Sequence, residues 1–344
     1  AARRRALGEP RRRQVWCMLA LMPPRAALLE AVASLDDSLL APEKVELLAA
    51  NLPSTAEEAM LRAAAAEAML GEAQEWDVPE DFLMRLIEIP AYALRVRLWI
   101  FLNSFEAAVK RLVEAEADAR QAGEYLRRSA RVERLLAVIL HVGNYLNRGT
   151  PRGRADGFEL DTLTKLGELK TRHRSTLIDF IVAQMERDCP GMLSEMFDPG
   201  MEFDCVQRAR RHRMAEVRDD LSNLLLQAQS HQKSLQDCVA DGDALLECQR
   251  SRLHSQIGEL EELRARFEHW SQGYSGLCAW FHMDPERPMP TDEFYGLWHA
   301  FLSGVKAALE ASARQRTGRG LCRASSLPAP RSLAAGACGG ARER

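Results

Sequence analysis

The sequence predicts an all-α protein built on elongated helices. Three observations carry that prediction. Ala, Leu, Glu and Arg dominate the 344 residues while β-branched residues are sparse, a composition that favours helix over sheet. Two long stretches, 91–122 and 202–240, contain neither proline nor glycine. Apolar residues recur in them at helical spacing, and no stretch alternates with the period of a strand.

The elements follow in order. Residues 1–12 carry five arginines without apolar periodicity and read as a basic disordered tail, with a polybasic contact to an acidic partner as its alternative use. From residue 13 to residue 90 the chain reads as a cluster of short helices. The apolar run Val15–Met22 stops at Pro23-Pro24, and Leu28, Leu29, Val32 and Leu35 then share a face. Pro42 opens a helix with Val45, Leu47 and Leu48. Ser54 or Thr55 caps an Ala-rich helix running to about Gln74, with Glu57 and Glu58 in its first turn. Asp77-Val78-Pro79 breaks the chain, and Asp81 to Glu88 forms a short helix ended by Ile89-Pro90.

Residues 91–200 begin with one helix to Gly123, about 45 Å long at about 1.5 Å per residue. A second helix, from about Ser129 to Tyr145, is apolar on several faces and should be buried. The loop from Gly143 to Thr171 breaks the helical monotony, and residues 175–189 form another amphipathic helix before a connector at 190–200. Residues 201–312 read as long helices that pack antiparallel, with Leu253, Ile257, Leu260 and Phe267 in heptad register. A turn at Met283–Pro290 precedes a last helix capped by Thr291. Residues 313–344, rich in Arg, Gly, Ala, Ser and Pro, read as a second disordered tail.

Composition narrows the function. A net charge of −3 and a pI near 6.3 imply no strong field for nucleic acid or an anionic membrane. No run of about 18 apolar residues exists, so no membrane span is expected. The eight cysteines, at 17, 189, 205, 238, 248, 278, 322 and 338, include no CxxC pair and read as reduced thiols of a cytoplasmic protein. The chain opens without Met and is expected to be part of a longer polypeptide.

Catalytic, cofactor and metal chemistry find no support. The eight histidines are isolated, and no HExxH or zinc spacing occurs. Asp237, Asp241 and Asp243 lack the ligand spacing of a calcium loop and read as a solvated turn. Gly149, Gly153 and Gly157, with Arg148, Arg152 and Arg154 between them, invite a phosphate-loop reading. No strand precedes them and no Gly-Lys-Ser/Thr follows, which removes it. The helix after this loop is more informative. With Leu160 at zero and about 100° per residue, Leu163 and Leu166 fall at about 300° and 240°, Lys165 at about 140° and Lys170 at about 280°. Lys165 should therefore stand in solvent opposite the leucines. Lys170 would sit on the leucine side, or more plausibly near the helix C-terminus, where a cation meets free carbonyls.

Two blocks carry a resemblance. Gly143-Asn144-Tyr145-Leu146-Asn147-Arg148-Gly149 resembles the Gly-Asn-(Tyr/Phe)-(Met/Leu)-Asn-x-Gly signature of the formin homology 2 domain. The run from Gly157-Phe158 through Leu160, Leu163, Lys165 and Leu166 to Lys170-Thr171 is similar to that domain's next block, and Ser175-Thr176-Leu177-Ile178 to the helix start after it. The resemblance covers about residues 13–312. It implies an elongated helical fold with a knob (13–90), a long helix and post (91–200), and a coiled coil with a C-terminal helix (201–312). It also implies a cytoskeletal factor that nucleates actin filaments and associates processively with their barbed ends. The alternative is a helical scaffold that keeps the fold without assembling actin.

The resemblance implies sites as well. Lys165 matches a lysine that contacts actin in the family. The knob's isoleucine contact aligns with Cys17, or with Val15 if the register slips, and Lys170 completes the candidate actin-binding set. Gly143, Asn144, Tyr145, Asn147, Gly149, Gly157 and Phe158 match the surface that receives a second chain's N-terminal lasso in a head-to-tail homodimer. Departures are visible. Cys17 offers less apolar surface than isoleucine, so that contact is expected to be weaker. Asp179 stands where histidine is common, and Glu168-Leu169-Lys170-Thr171 replaces the usual Asp-Thr-Lys-Ser. Only residues 1–12 precede the knob-like segment, so the lasso and a proline-rich profilin-binding segment are expected to lie outside this stretch.

Overall fold

The structure, a computed structural model, describes residues 3–69, 75–170, 175–238, 243–284 and 289–324. The expected helix end at Gln74, the turn residues Asp241 and Gly242, part of the Met283–Pro290 turn, Thr171 and residues 325–344 of the expected tail lie outside them. The described residues form α-helices, one 3-10 turn and no strand, as the composition predicts. The chain divides into two units, Ala1–Ala117 with Met214–Gln272 and Asp118–Arg213 with Gly273–Arg344.

In the first unit, α1 (Glu9–Ala20), α2 (Arg25–Ser34), α3 (Pro42–Ala49), α4 (Thr55–Met69) and α5 (Val78–Glu88) enclose a core that includes Val15, Leu28, Val32, Leu48, Phe82 and Leu83. Their starts follow local chemistry. Pro42 occupies the first turn of α3. Ser54 caps α4 reciprocally with Glu57, the Glu57 N–H donating to Ser54 Oγ at 3.2 Å and the Ser54 N–H to Glu57 Oε2 at 2.9 Å. The Asp77 carboxylate accepts from the Val78 N–H at 2.9 Å, so α5 begins earlier than the expected Asp81.

The expected N-terminal tail is ordered instead. Leu7 is buried, and Glu80, fully buried, accepts from the backbone N–H groups of Ala6 and Leu7 at 3.3 Å each. Arg12 pairs with Asp77 at 2.6 Å, and the Arg4 backbone bridges to Trp76. The anchor is a carboxylate more than seventy positions away in sequence. Apolar periodicity within residues 1–12 could not reveal it.

The first unit also holds most of three long helices: α6 (Tyr92–Arg128), α11 (Met214–Cys238) and α12 (Ala244–Trp280). Arg252 meets Glu106 at 3.3 Å and Arg266 bonds Glu116, so residue numbers rise together along α6 and α12. Arg111 meets Asp220 at 3.1 Å and the rings of Phe101 and His231 lie 5.0 Å apart, so α11 runs the other way. Gln232 and His254 meet at 3.3 Å across the antiparallel α11–α12 pair. The heptad positions Leu253, Ile257, Leu260 and Phe267 are all buried.

The second unit contains the end of α6, then α7 (Ala130–Leu146), α8 (Thr162–Lys165), α9 (Leu177–Asp188), a 3-10 turn at Ser194–Phe197, α10 (Glu202–Ala209), the end of α12 and α13 (Thr291–Ala324). α13 packs on α8, α9 and α10, and aromatic residues of its first half, including Phe294, Tyr295 and Trp298, are fully buried. α6 passes through Gly123 rather than stopping there. A methyl group at that position would sit 3.4 Å from Tyr295 Oη, whose hydroxyl donates to the Ala119 carbonyl at 2.8 Å. α7 starts where the sequence places it, and Ser129 caps it, its hydroxyl oxygen accepting from the Val132 N–H.

The stretch 202–240 is not one helix. It breaks between α10 and α11 although no proline or glycine marks the place. Arg208 reaches Asp118 at 2.8 Å, His212 reaches the same carboxylate at 3.2 Å, and Arg213 reaches Asp292 at 3.1 Å. These contacts with distant residues hold the turn. Two histidines give the fold a pH dependence. Burial, and then Arg97, lowers the pKa of His231; burial, and then Arg210, lowers that of His299. The unfolded chain therefore binds more protons as pH falls below the ordinary histidine value of 6.5, so these sites stabilise the fold above that value and lose their contribution below it. The melting temperature should fall between about pH 7.5 and 5.5, and less so in the double variant His231→Gln, His299→Gln. Equal slopes would contradict this.

Candidate functional site

The second unit carries the two sequence blocks. α7 delivers the first, and its position is fixed from its N-terminus. The fully buried Glu202 accepts from Ser129 Oγ and from Arg131 Nε, the latter at 3.0 Å, and Arg131 also reaches Glu195 at 2.8 Å. Glu202 is the first cause that raises the Arg131 pKa. At the other end of α7, Tyr145 and Leu146 are 69% and 63% exposed, far more than apolar residues of a helix packed on its neighbours.

The loop after α7 is tightly built. Asn144 clamps it: its side-chain amide donates to the Ala155 carbonyl and its oxygen accepts from the Ala155 N–H, each at 2.9 Å. The Thr150 N–H and hydroxyl both donate to the Asn147 carbonyl, at 3.1 and 2.7 Å. Gly149 adopts φ +85°, a conformation that favours glycine. At Gly153 a Cβ would lie 2.4 Å from the Asn147 carbonyl oxygen, so no side chain fits. Gly143 and Gly157 meet no such limit, since a Cβ at either would have nothing within 4 Å.

The second block forms a groove and a turn of helix. Phe158, half-buried, lines a groove of about 560 Å³ with Phe281, Met283 and Met289, and Asp156, Glu159, Asp161 and Asp284 also line it. In and beside α8, Leu160, Leu163 and Leu166 are buried while Lys165 is exposed. The wheel placement of Lys165 matches this arrangement. Lys170 differs: α8 ends at Lys165, so Lys170 sits beyond the helix, exposed, in an isolated bridge with Thr176. Four residues give α8 too few turns to reach it.

The structure brings Gly143, Asn144, Tyr145, Asn147, Gly149, Gly157, Phe158, Lys165 and Lys170 into one unit, and places Val15 and Cys17 in the other. Val15 is fully buried and belongs to the first unit's core, which removes it as a surface contact; Cys17 is exposed. Beside it stand Trp16 and Leu21, 58% and 64% exposed. These two were missed in the sequence. Their signal is that Val15–Met22 is apolar on more faces than one core contact needs.

Asp179 also gains a role. With Thr176 it closes a capping box on α9, the Thr176 N–H donating to Asp179 Oδ2 at 2.7 Å. No group of His, Cys, Asp or Glu among the described residues is arranged to hold a metal ion, and no single helix there is long and apolar enough to cross a membrane. One bent pair, α1 with α2, passes by length and composition together, but its Val15, Met18, Leu28, Ala31 and Val32 are buried in the unit's core.

Comparison with known proteins adds a family. The Formin Homology 2 Domain matches residues 5–306. Formin-like protein 6 of Oryza sativa subsp. japonica is 25% identical over 268 residues, covering 77% of this chain and 19% of that protein. Formin-like protein 17 of Arabidopsis thaliana is 26% identical over 275 residues, 77% of this chain and 52% of that protein. Formin-C of Dictyostelium discoideum is 27% identical over 221 residues, 64% of this chain and 19% of that protein. The chain thus spans from about a fifth to about half of these relatives.

Proposed function

The chain belongs to the formin homology 2 family, and on that premise we propose that it binds the barbed ends of actin filaments, nucleates filaments and stays with the growing end. Lys165 carries the reading. By resemblance it matches the family's actin-contacting lysine, and it is exposed above a seat of three buried leucines. Actin is acidic, so a lysine held outward by an apolar seat has an electrostatic partner there. Lys170, also exposed, is a second candidate contact of the same sign. In the knob, Cys17 with Trp16 and Leu21 offers actin an apolar face.

The second proposed partner is another copy of this chain with its N-terminal lasso, in a head-to-tail dimer. Tyr145, Leu146 and the groove beside Gly157 and Phe158 offer it exposed apolar surface. The proposed place of action is the cytoplasmic cytoskeleton, and the proposed work needs no cofactor or catalytic residue. A second reading, a scaffold that keeps the fold without assembling actin, is favoured by Cys17, which replaces a larger apolar contact. Bulk actin polymerisation, with the chain and with an N-terminally extended form, separates the two.

A further inference from the structure

Three guanidinium groups on the 147–155 turn have no ion-pair or hydrogen-bond partner among the described residues. They belong to Arg148, Arg152 and Arg154, all exposed. Many other arginines of the chain do pair, as Arg12, Arg131 and Arg208 show. The turn that bears them is rigid, because Asn144 clamps its far end and Gly153 lies where no Cβ fits. Three like charges are thus displayed on a fixed frame rather than on a loose loop, which lowers the entropy lost on binding.

We propose that Arg148, Arg152 and Arg154 form a docking surface for an acidic protein face, and that this face belongs to the actin subunit that Lys165 meets. The actin part of this inference rests on the function proposed above. The neighbouring charges favour a protein partner. Asp156, Glu159 and Asp161 follow within the same stretch, line the groove, and leave the arginines unneutralised. An anionic bilayer or a nucleic acid presents one sign of charge and would meet these carboxylates as well as the arginines. A protein face can set acids against the turn alone and leave the groove to the second chain. Fields of exposed charges fade over about 8 Å at physiological salt. The turn should therefore mainly speed association at low salt.

The test compares the N-terminally extended chain with its triple variant Arg148→Gln, Arg152→Gln, Arg154→Gln for association with filament barbed ends, at low and at physiological salt. The variant should associate about tenfold more slowly at low salt, with a flatter salt dependence, at an unchanged melting temperature. An unchanged rate and salt slope would overturn the role of the turn and leave the actin reading standing. If the unsubstituted extended chain, folded and dimeric, does not reach filament ends at any salt, the actin reading fails on its own. Retention on polyglutamate then decides the turn: weaker retention of the variant supports an acidic protein partner, and equal retention overturns it. Tighter binding of the unsubstituted chain to phosphatidylserine vesicles than to polyglutamate would also overturn the protein assignment.

Discussion

Glu202→Ala should destabilise the second unit by about 3 kcal/mol, lowering its melting temperature by roughly 8 °C. The carboxylate is fully buried and accepts from Ser129 and Arg131. Removing it leaves a partly buried guanidinium with the more exposed Glu195 as its remaining carboxylate partner, and the serine that caps α7 loses its acceptor. An uncompensated buried charge is among the costliest local defects. Because α7 carries Tyr145 and the clamped turn at its other end, filament-end activity should decline with the fold. Glu202→Gln keeps an acceptor and should cost less. A melting temperature within about 1 °C of the unsubstituted chain for Glu202→Ala would refute this account of how α7 is seated.

Lys165→Asp should do the reverse: lower activity at filament ends by at least about tenfold while leaving stability nearly unchanged. Its side chain has no ion-pair or hydrogen-bond partner among the described residues, and the leucines beneath it are untouched by the substitution. Exposed substitutions away from such partners usually stay within about 0.5 kcal/mol. A large loss of melting temperature would show that Lys165 packs into the fold. Full activity with an unchanged melting temperature would remove it from the actin surface.

Much of this was legible in the sequence because it rests on local rules. The apolar run after Ser129 marks a helix start, and α7 begins there. The spacing of Leu253, Ile257, Leu260 and Phe267 marks a face, and that face is buried. The outward placement of Lys165 follows from three leucines at helical spacing. What was not legible depends on distant partners. Glu80 holds Ala6 and Leu7 through backbone hydrogen bonds that no pattern within residues 1–12 encodes. Asp118 takes both Arg208 and His212 and so helps turn the chain between α10 and α11. The run Val15–Met22 is apolar on every side, so periodicity could not say that Val15 faces the core and Cys17 faces solvent. Asp179 reads as a departure from a family pattern, yet Thr176 three positions earlier is the partner a capping box requires.

The most direct test of the account is bulk polymerisation of actin with this chain extended at its N-terminus to include the segment that joins two copies. A shortened lag and altered barbed-end growth are expected, both reduced by Lys165→Asp. An extended chain that is folded and dimeric, yet changes neither the lag nor barbed-end growth, would contradict the proposed function and leave a helical scaffold in its place.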